Sequence, residues 1–235
     1  MSVAEQYDVL MDIIRGISEE EKLAIDQVLR EELNPWTPLE GPQLQAYENE
    51  ADVLFFGGAA GGSKTDLLIG LALTQHRRSI IFRREATQLP AIIDRLTEIL
   101  GSRNGYSGQS HIWRVPGGRQ IEFGSTPFAG DESRYQGRPH DGLFFDEVSN
   151  FLESQFRFLC GWNRTTAIGQ RCRIVCAGNP PTSAEGEWVI RYWRDWLDPN
   201  CVNPAKPGEL RWYAMVDGVE TPRDNGTSFV HKGKV

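Results

Sequence analysis

Lys64 and Thr65 end a run, residues 53–65, that reads Val-Leu-Phe-Phe-Gly-Gly-Ala-Ala-Gly-Gly-Ser-Lys-Thr. A short apolar strand entering a glycine-rich loop that closes on Lys-Thr is the layout of a phosphate cradle. Gly57, Gly58, Gly61 and Gly62, with Ala59, Ala60 and Ser63, let successive backbone N–H groups turn onto an anion, and a helix starting near Ser63 adds its positive end. Lys64 would then reach the β- and γ-phosphates and the Thr65 hydroxyl would ligate Mg²⁺. The pattern departs from G-x-x-x-x-G-K-[ST] at Ser63, which stands where a glycine should precede the lysine.

A second chemical run follows at Gly142-Leu-Phe-Phe-Asp146-Glu147. Apolar residues followed by two acids predict a buried strand with carboxylates at its C-terminal tip, where open α/β sheets place ligand chemistry. Asp146 can hold the Mg²⁺ shell, and Glu147 can orient and deprotonate an attacking water. If the base lay elsewhere, Glu153 and Asp141 would be the next acids to test.

These motifs need elements to carry them. Alternating signals predict strand 53–56, helix 63–76, strand 79–83, helix 87–100, a hairpin over 111–125, strand 142–146, helix 151–160 and strand 172–177. The implied fold class is α/β, a mostly parallel sheet with helices on both faces. Ahead of it, Tyr7, Leu10, Met11 and Ile14 recur at helical spacing. Ser18 with Glu21 forms a capping box before a second helix with Leu23, Val28 and Leu29, so a helical hairpin is expected. Prolines loosen the pattern after Trp196, and Asp217-Gly218 marks a final hairpin turn.

The chain has 235 residues, is 40% hydrophobic and carries a net charge of −7, enough for one sizeable core. No apolar run approaches membrane-spanning length and the N-terminus is not signal-like, so a protein that is neither membrane-bound nor exported is expected. Cys160, Cys172, Cys176 and Cys201 form no CxxC pair; Cys172 and Cys176 read as core residues on one strand face, in a reducing cytoplasm. Residues 1–50 hold 12 acids against 3 bases, whereas residues 51–235 hold 20 acids against 22 bases, 18 of them arginine. Arginine suits forked phosphate contacts, so the second region admits a DNA-facing patch as well as a merely solvated surface.

From about Gly41 onward the sequence resembles the ATPase (packaging motor) domain of tailed-phage terminase large subunits. The resemblance runs through Gly41-Pro-Gln43, Phe56 to Thr65, Ile81-Phe-Arg-Arg84, Arg134-Tyr-Gln-Gly137, Leu143 to Glu147 and Cys176-Ala-Gly-Asn-Pro-Pro181. It implies a P-loop ATPase of the ASCE type (additional strand, catalytic glutamate), with ATP and Mg²⁺ as ligands. It also implies that Gln43 reads adenine, that Asn179 couples nucleotide state to movement, and that an arginine before the second motif reaches a neighbouring subunit's nucleotide. Arg134 fits that role best, with Arg138 in reserve and a surface pair of Arg134 with Asp131 or Glu132 as the plain alternative. Arg83 and Arg84 could sense phosphate, contact DNA or serve structure.

The expected organisation is an N-terminal helical extension over 1–40, a P-loop core over 41–184 and a lid or linker region over 185–235. Relatives continue into an RNase H-like nuclease domain, for which this chain leaves no room, so no nuclease activity is expected. An arginine found inside the loop of some relatives is replaced by Ala59-Ala60. The resemblance implies a motor that translocates double-stranded DNA into a viral procapsid in the host cytoplasm. Its implied partners are a portal protein and a small terminase subunit, with a homo-oligomeric ring on assembly and a monomer in isolation. A helicase-like or remodelling ATPase and a non-hydrolysing nucleotide-binding scaffold are the alternatives.

Overall fold

A computed structural model describes residues 16–18, 20–21, 34–58, 63–115, 117–217 and 219–227. The chain divides into two compact units, 1–37 and 38–235. In the first, the capping box forms as expected: the Ser18 N–H donates to the Glu21 carboxylate at 2.8 Å and the Glu21 N–H to Ser18 Oγ at 3.2 Å. Tyr7, Leu10, Met11, Ile14, Leu23, Val28 and Leu29, which define the expected helical hairpin, lie outside the described residues.

The second unit opens with helix α1 (Pro42–Glu48), strand β1 (Val53–Gly57) and helix α2 (Lys64–Thr74), followed by β2 (Arg78–Arg83) and α3 (Leu89–Leu100). Three strands follow, β3 (Tyr106–Ser107), β4 (Ile112–Val115) and β5 (Arg119–Ser125), then β6 (Gly142–Asp146), α4 (Glu153–Cys160) and β7 (Arg173–Gly178). Short helices α5 (Trp188–Tyr192) and α6 (Arg194–Leu197) lead to an antiparallel hairpin of β8 (Trp212–Val216) and β9 (Val219–Arg223).

The main sheet runs β1-β7-β6-β2-β5-β4-β3. Strands β1, β7, β6, β2 and β5 are parallel, and β4 and β3 extend the sheet antiparallel. Strand β7, last of the seven in the chain, inserts between β1 and β6, an additional strand between the one that enters the glycine-rich loop and the one that ends in acids. The glycine loop and the acid-tipped strand therefore stand two strands apart, with the tip of β7 between them.

Strands β6 and β7 are buried along their whole length, as their unbroken apolar runs require when helices cover both faces. Ile80, Phe82, Leu143, Phe145, Ile174 and Cys176 alternate onto one face, where they join Phe151, Phe156, Leu159, Trp188, Val189 and Trp193. The other face meets α2, which packs on β2, β6 and β7 and buries Leu67 through Leu73 on every side. Anchoring this apolar helix against the sheet holds its first turn, with Lys64 and Thr65, at one end of the parallel strands.

The strand boundaries correct one sequence expectation. Strand β7 begins at Arg173, so Cys176 is a core residue while Cys172 precedes the strand and is only half-buried. Arg173 takes the first position instead. Its guanidinium, fully buried, donates to the Ala46 and Tyr47 carbonyls at 2.8 and 3.1 Å and ties the last turn of α1 to the sheet.

Candidate nucleotide site

The loop between β1 and α2 is described at Gly58 and again from Ser63; Ala59, Ala60, Gly61 and Gly62 lie outside the described residues. Ser63 caps α2 with φ 51°, the left-handed region that glycine adopts without strain. A serine thus stands here in a backbone conformation that favours glycine. Ser63 also serves as an acceptor for Gln43: the Gln43 Nε2 donates to Ser63 O and Oγ, each at 3.0 Å, while its Oε1 accepts the Leu39 N–H. Gln43 is 4% exposed, so this amide braces the exit of the loop from the end of α1. A cavity of about 290 Å³ adjoins it, lined by Leu39, Pro42, Gln43, Phe56, Gly58 and Lys64. A second, of about 320 Å³, lies at the opposite end of the strands near Arg78, Glu122 and His140.

Lys64 is buried, and its ammonium donates to Gly58 O across the mouth of the loop at 3.1 Å. One residue on, Thr65 Oγ1 donates to Asp146 Oδ2 at 2.9 Å. This bond unites the two motifs. Asp146 is 1% exposed, and the same oxygen accepts Arg83 Nε at 2.9 Å, with Arg83 Nη2 in ion-pair contact at 2.8 Å. Glu147 follows in a left-handed conformation (φ 55°) that turns the chain sharply off β6. Gly178, at the tip of β7, makes room for this turn: a Cβ there would lie 3.3 Å from Val148 N. Among the described residues the Glu147 side chain makes no hydrogen bond or ion pair, and the buried Asn179 Oδ1 has no partner. Both groups stand at the strand tips beside Asp146.

The two reserve acids are elsewhere. Asp141 begins the run into β6 at its other end, about 16 Å away at ~3.3 Å per residue, where it accepts the N–H groups of Arg77 and Arg78 and contacts His76 Nδ1 at 3.2 Å. Glu153 is held by Arg157 and Arg191, and although partial burial opposes it, these two hydrogen-bonded cations keep its pKa below the usual carboxylate range. Neither faces the loop.

The candidate arginines separate as well. Arg134 lies on a short 3₁₀ turn (Asp131–Tyr135); its Nη2 donates to Ser125 O at 3.3 Å, and the Arg83↔Ser125 pairing places that carbonyl at the end of the sheet where Asp146 lies. Its side chain is 58% exposed and pairs with Asp131 at 3.3 Å, the plain alternative foreseen from sequence. Arg138 points the other way, to Glu122 at 2.6 Å, within a cluster that includes His140.

Arg84 settles the tandem. While Arg83 turns into the site, Arg84 Nε donates to Pro127 O at 2.9 Å and Nη1 to Asn150 O and Gln155 Oε1 at 3.3 and 2.9 Å. Gln155, fully buried, donates onward to Thr126 O and Phe128 O. The pair fastens the segment leading to Arg134 against the turn after Glu147. Sequence reasoning missed Gln155; its position at the third residue of α4, where its Oε1 accepts the Leu152 N–H, was the available signal.

No protein-family model and no curated protein matches the chain. Solved structures do. The chain is similar to a mutant large terminase ATPase domain of Thermus phage P74-26, with TM-score 0.50 and 15% identity over 75% of this chain and 81% of that one. It is also similar to the large terminase of bacteriophage HK97 (TM-score 0.46, 15% identity, 68% of this chain and 36% of that one). A third is the large terminase of a thermophilic bacteriophage in complex with ADP (TM-score 0.44, 18% identity, 60% and 38%). The chain spans about two fifths of the length of these longer terminases. At 15% identity the likeness to the Thermus phage domain concerns architecture alone: the chain has the fold of a phage large terminase ATPase domain.

Proposed function

We propose that this chain is an ATPase that drives movement of double-stranded DNA, as the motor part of a large terminase. The observation that carries the reading is the Thr65–Asp146 hydrogen bond, which closes a phosphate loop onto an acid-tipped strand with a second acid beside it. In this reading Lys64 and the loop N–H groups hold the phosphates. Gln43 meets adenine, exchanging its bonds to Ser63 for the base. Glu147, unencumbered by any cation among the described residues, orients and deprotonates water. Asn179, with its orphan oxygen between the two motifs, is the residue we assign to coupling.

The donors fit Mg²⁺. A hydroxyl and one carboxylate are hard oxygen ligands of the kind that bind this ion together with phosphate oxygens, and among the described residues no cluster of three or more acids, histidines or cysteines competes. Thr65 and Asp146 would hold it, and when bound it would neutralise charge between the β- and γ-phosphates.

Arg134 supplies the finger in trans in this proposal. Its exposure at the loop end of the sheet supports that role, and reaching a neighbour requires release from Asp131 and from the Ser125 carbonyl. Portal, small subunit, ring assembly and the host cytoplasm belong to the same proposal, and no described helix is long and apolar enough to cross a membrane. Steady-state ATP hydrolysis with and without duplex DNA tests it. Stimulation by duplex without strand separation supports the motor; unwinding selects a helicase-like ATPase; nucleotide binding without turnover selects a scaffold.

A further inference from the structure

We propose that Arg83 is a resident counter-ion that fills the cation side of the Thr65–Asp146 pair and that a divalent metal must displace, so that Arg83 sets how much Mg²⁺ nucleotide binding requires. The proposal rests on the phosphate-loop reading of the site. Asp146 Oδ2 accepts hydrogen bonds from Thr65 Oγ1 and Arg83 Nε, each at 2.9 Å, with Arg83 Nη2 in ion-pair contact at 2.8 Å. The two bonds take up the lone pairs of this oxygen, so a metal that binds it beside Thr65 competes with Arg83.

The two partners are not equivalent. Thr65 donates its proton to Asp146 and still offers oxygen lone pairs outward, so it can serve carboxylate and metal together. The guanidinium has only donors and a fixed positive charge, so it and a dication compete for one buried carboxylate. Asp146, at 1% exposure, has no water to neutralise it, and an unpaired carboxylate there would be strongly disfavoured. Arg83, with 18% of its side chain exposed at the end of β2, has solvent to move into. Arg84 has no such freedom, because backbone carbonyls and Gln155 hold it. Of the tandem, one arginine is a fixed clamp and the other an exchangeable charge.

The test is binding of a fluorescent ADP analogue to the full chain, titrated with Mg²⁺ from an EDTA baseline, for wild type, Arg83→Gln and Arg83→Lys. Removing the competing charge is expected to lower the Mg²⁺ midpoint about tenfold or more in Arg83→Gln, a coupling typical of a close charge pair. Arg83→Lys, which keeps the charge but loses the fork, should fall between. Thermal melts give a second readout: Arg83→Gln should melt below wild type in EDTA, and the gap should close at saturating Mg²⁺. An unchanged or raised midpoint in a variant that still binds the analogue overturns the proposal and makes Arg83 a permanent partner of Asp146. Should Arg83→Gln fail to fold, a wild-type midpoint in Arg83→Lys overturns it equally. A wild-type chain that binds no analogue at any Mg²⁺ concentration removes the phosphate-loop reading itself, and this proposal with it.

Discussion

Thr65 and Asp146, 81 residues apart in the chain, meet through a single hydrogen bond of 2.9 Å at the C-terminal end of the parallel sheet. The bond exists because α2 is packed on the sheet along its whole apolar length and because β6 lies deep enough to keep Asp146 from water. It joins the first residues of a helix to the last residue of a strand, each fixed by its own core packing. The hydroxyl and the carboxylate are thus held in place by the fold, and the one partner at this pair that a ligand would have to move is Arg83.

Lys64 is buried at the loop mouth, and no other basic residue belongs to the loop. Lys64→Ala should therefore lower ATP turnover by at least about 10³-fold, the scale of losing a charge contact to the transferred phosphoryl group. It should also weaken nucleotide binding, read by the same fluorescent analogue. Normal turnover in this variant would exclude the phosphate-loop assignment.

The two acids at the end of β6 should fail differently. Glu147→Gln keeps size and hydrogen bonding but loses the base, so nucleotide with Mg²⁺ should bind while kcat falls by roughly 10²–10⁴-fold. Asp146→Asn removes the carboxylate that Thr65 and Arg83 share, so Mg²⁺-dependent binding itself should weaken. Rapid hydrolysis by Glu147→Gln would send the search for the base beyond Asp141 and Glu153, since both are committed to other partners.

If Arg134 acts on a neighbour, specific ATPase activity should rise with protein concentration. Mixing Arg134→Ala with Glu147→Gln subunits should then restore turnover where an intact finger meets an intact base. Mixed assemblies as inactive as each parent, with assembly verified by sizing, would rule out the trans assignment. The Glu122 ion pair of Arg138 makes that residue a poor substitute.

Gln155 holds two buried backbone carbonyls of the segment before Arg134. Gln155→Ala leaves them and Arg84 short of partners, a loss of about 2–4 kcal/mol, or roughly 5–15 °C in Tm for a domain of this size. Nucleotide binding should survive, because among the described residues the site shares no hydrogen bond with this clamp. Loss of binding with no change in Tm would contradict the role assigned to it.

Burial pushes the Cys160 and Cys176 thiols well above their ordinary pKa. Since the thiolate is the reactive form, both should resist alkylation at pH 8 in the native protein and react fully once it is unfolded. Mass spectrometry of the labelled sites distinguishes this from ready native labelling, which would place either thiol nearer to solvent.

The sequence alone determined the local chemistry. A glycine-rich turn between an apolar strand and a Lys-Thr helix start, and acids ending an unbroken apolar strand, are patterns set by neighbouring residues. Each element they predict is present with small shifts, such as α4 starting at Glu153 and β7 at Arg173. The departure at Ser63 was also visible there, although only the backbone shows that the serine takes a left-handed conformation that favours glycine. What tertiary structure decided concerns residues far apart in the chain. Strand order is set by which apolar faces can be buried together, so nothing local could place β7 between β1 and β6. Arg83 and Arg84 look alike as a tandem, but consecutive side chains leave a strand end on opposite sides, and only the packed neighbours send one to Asp146 and the other to Gln155. The same holds for Arg134 and Arg138: the chain between them turns from the end of the sheet where Asp146 lies toward Glu122, and long-range pairing, which no spacing encodes, sets where each guanidinium can act.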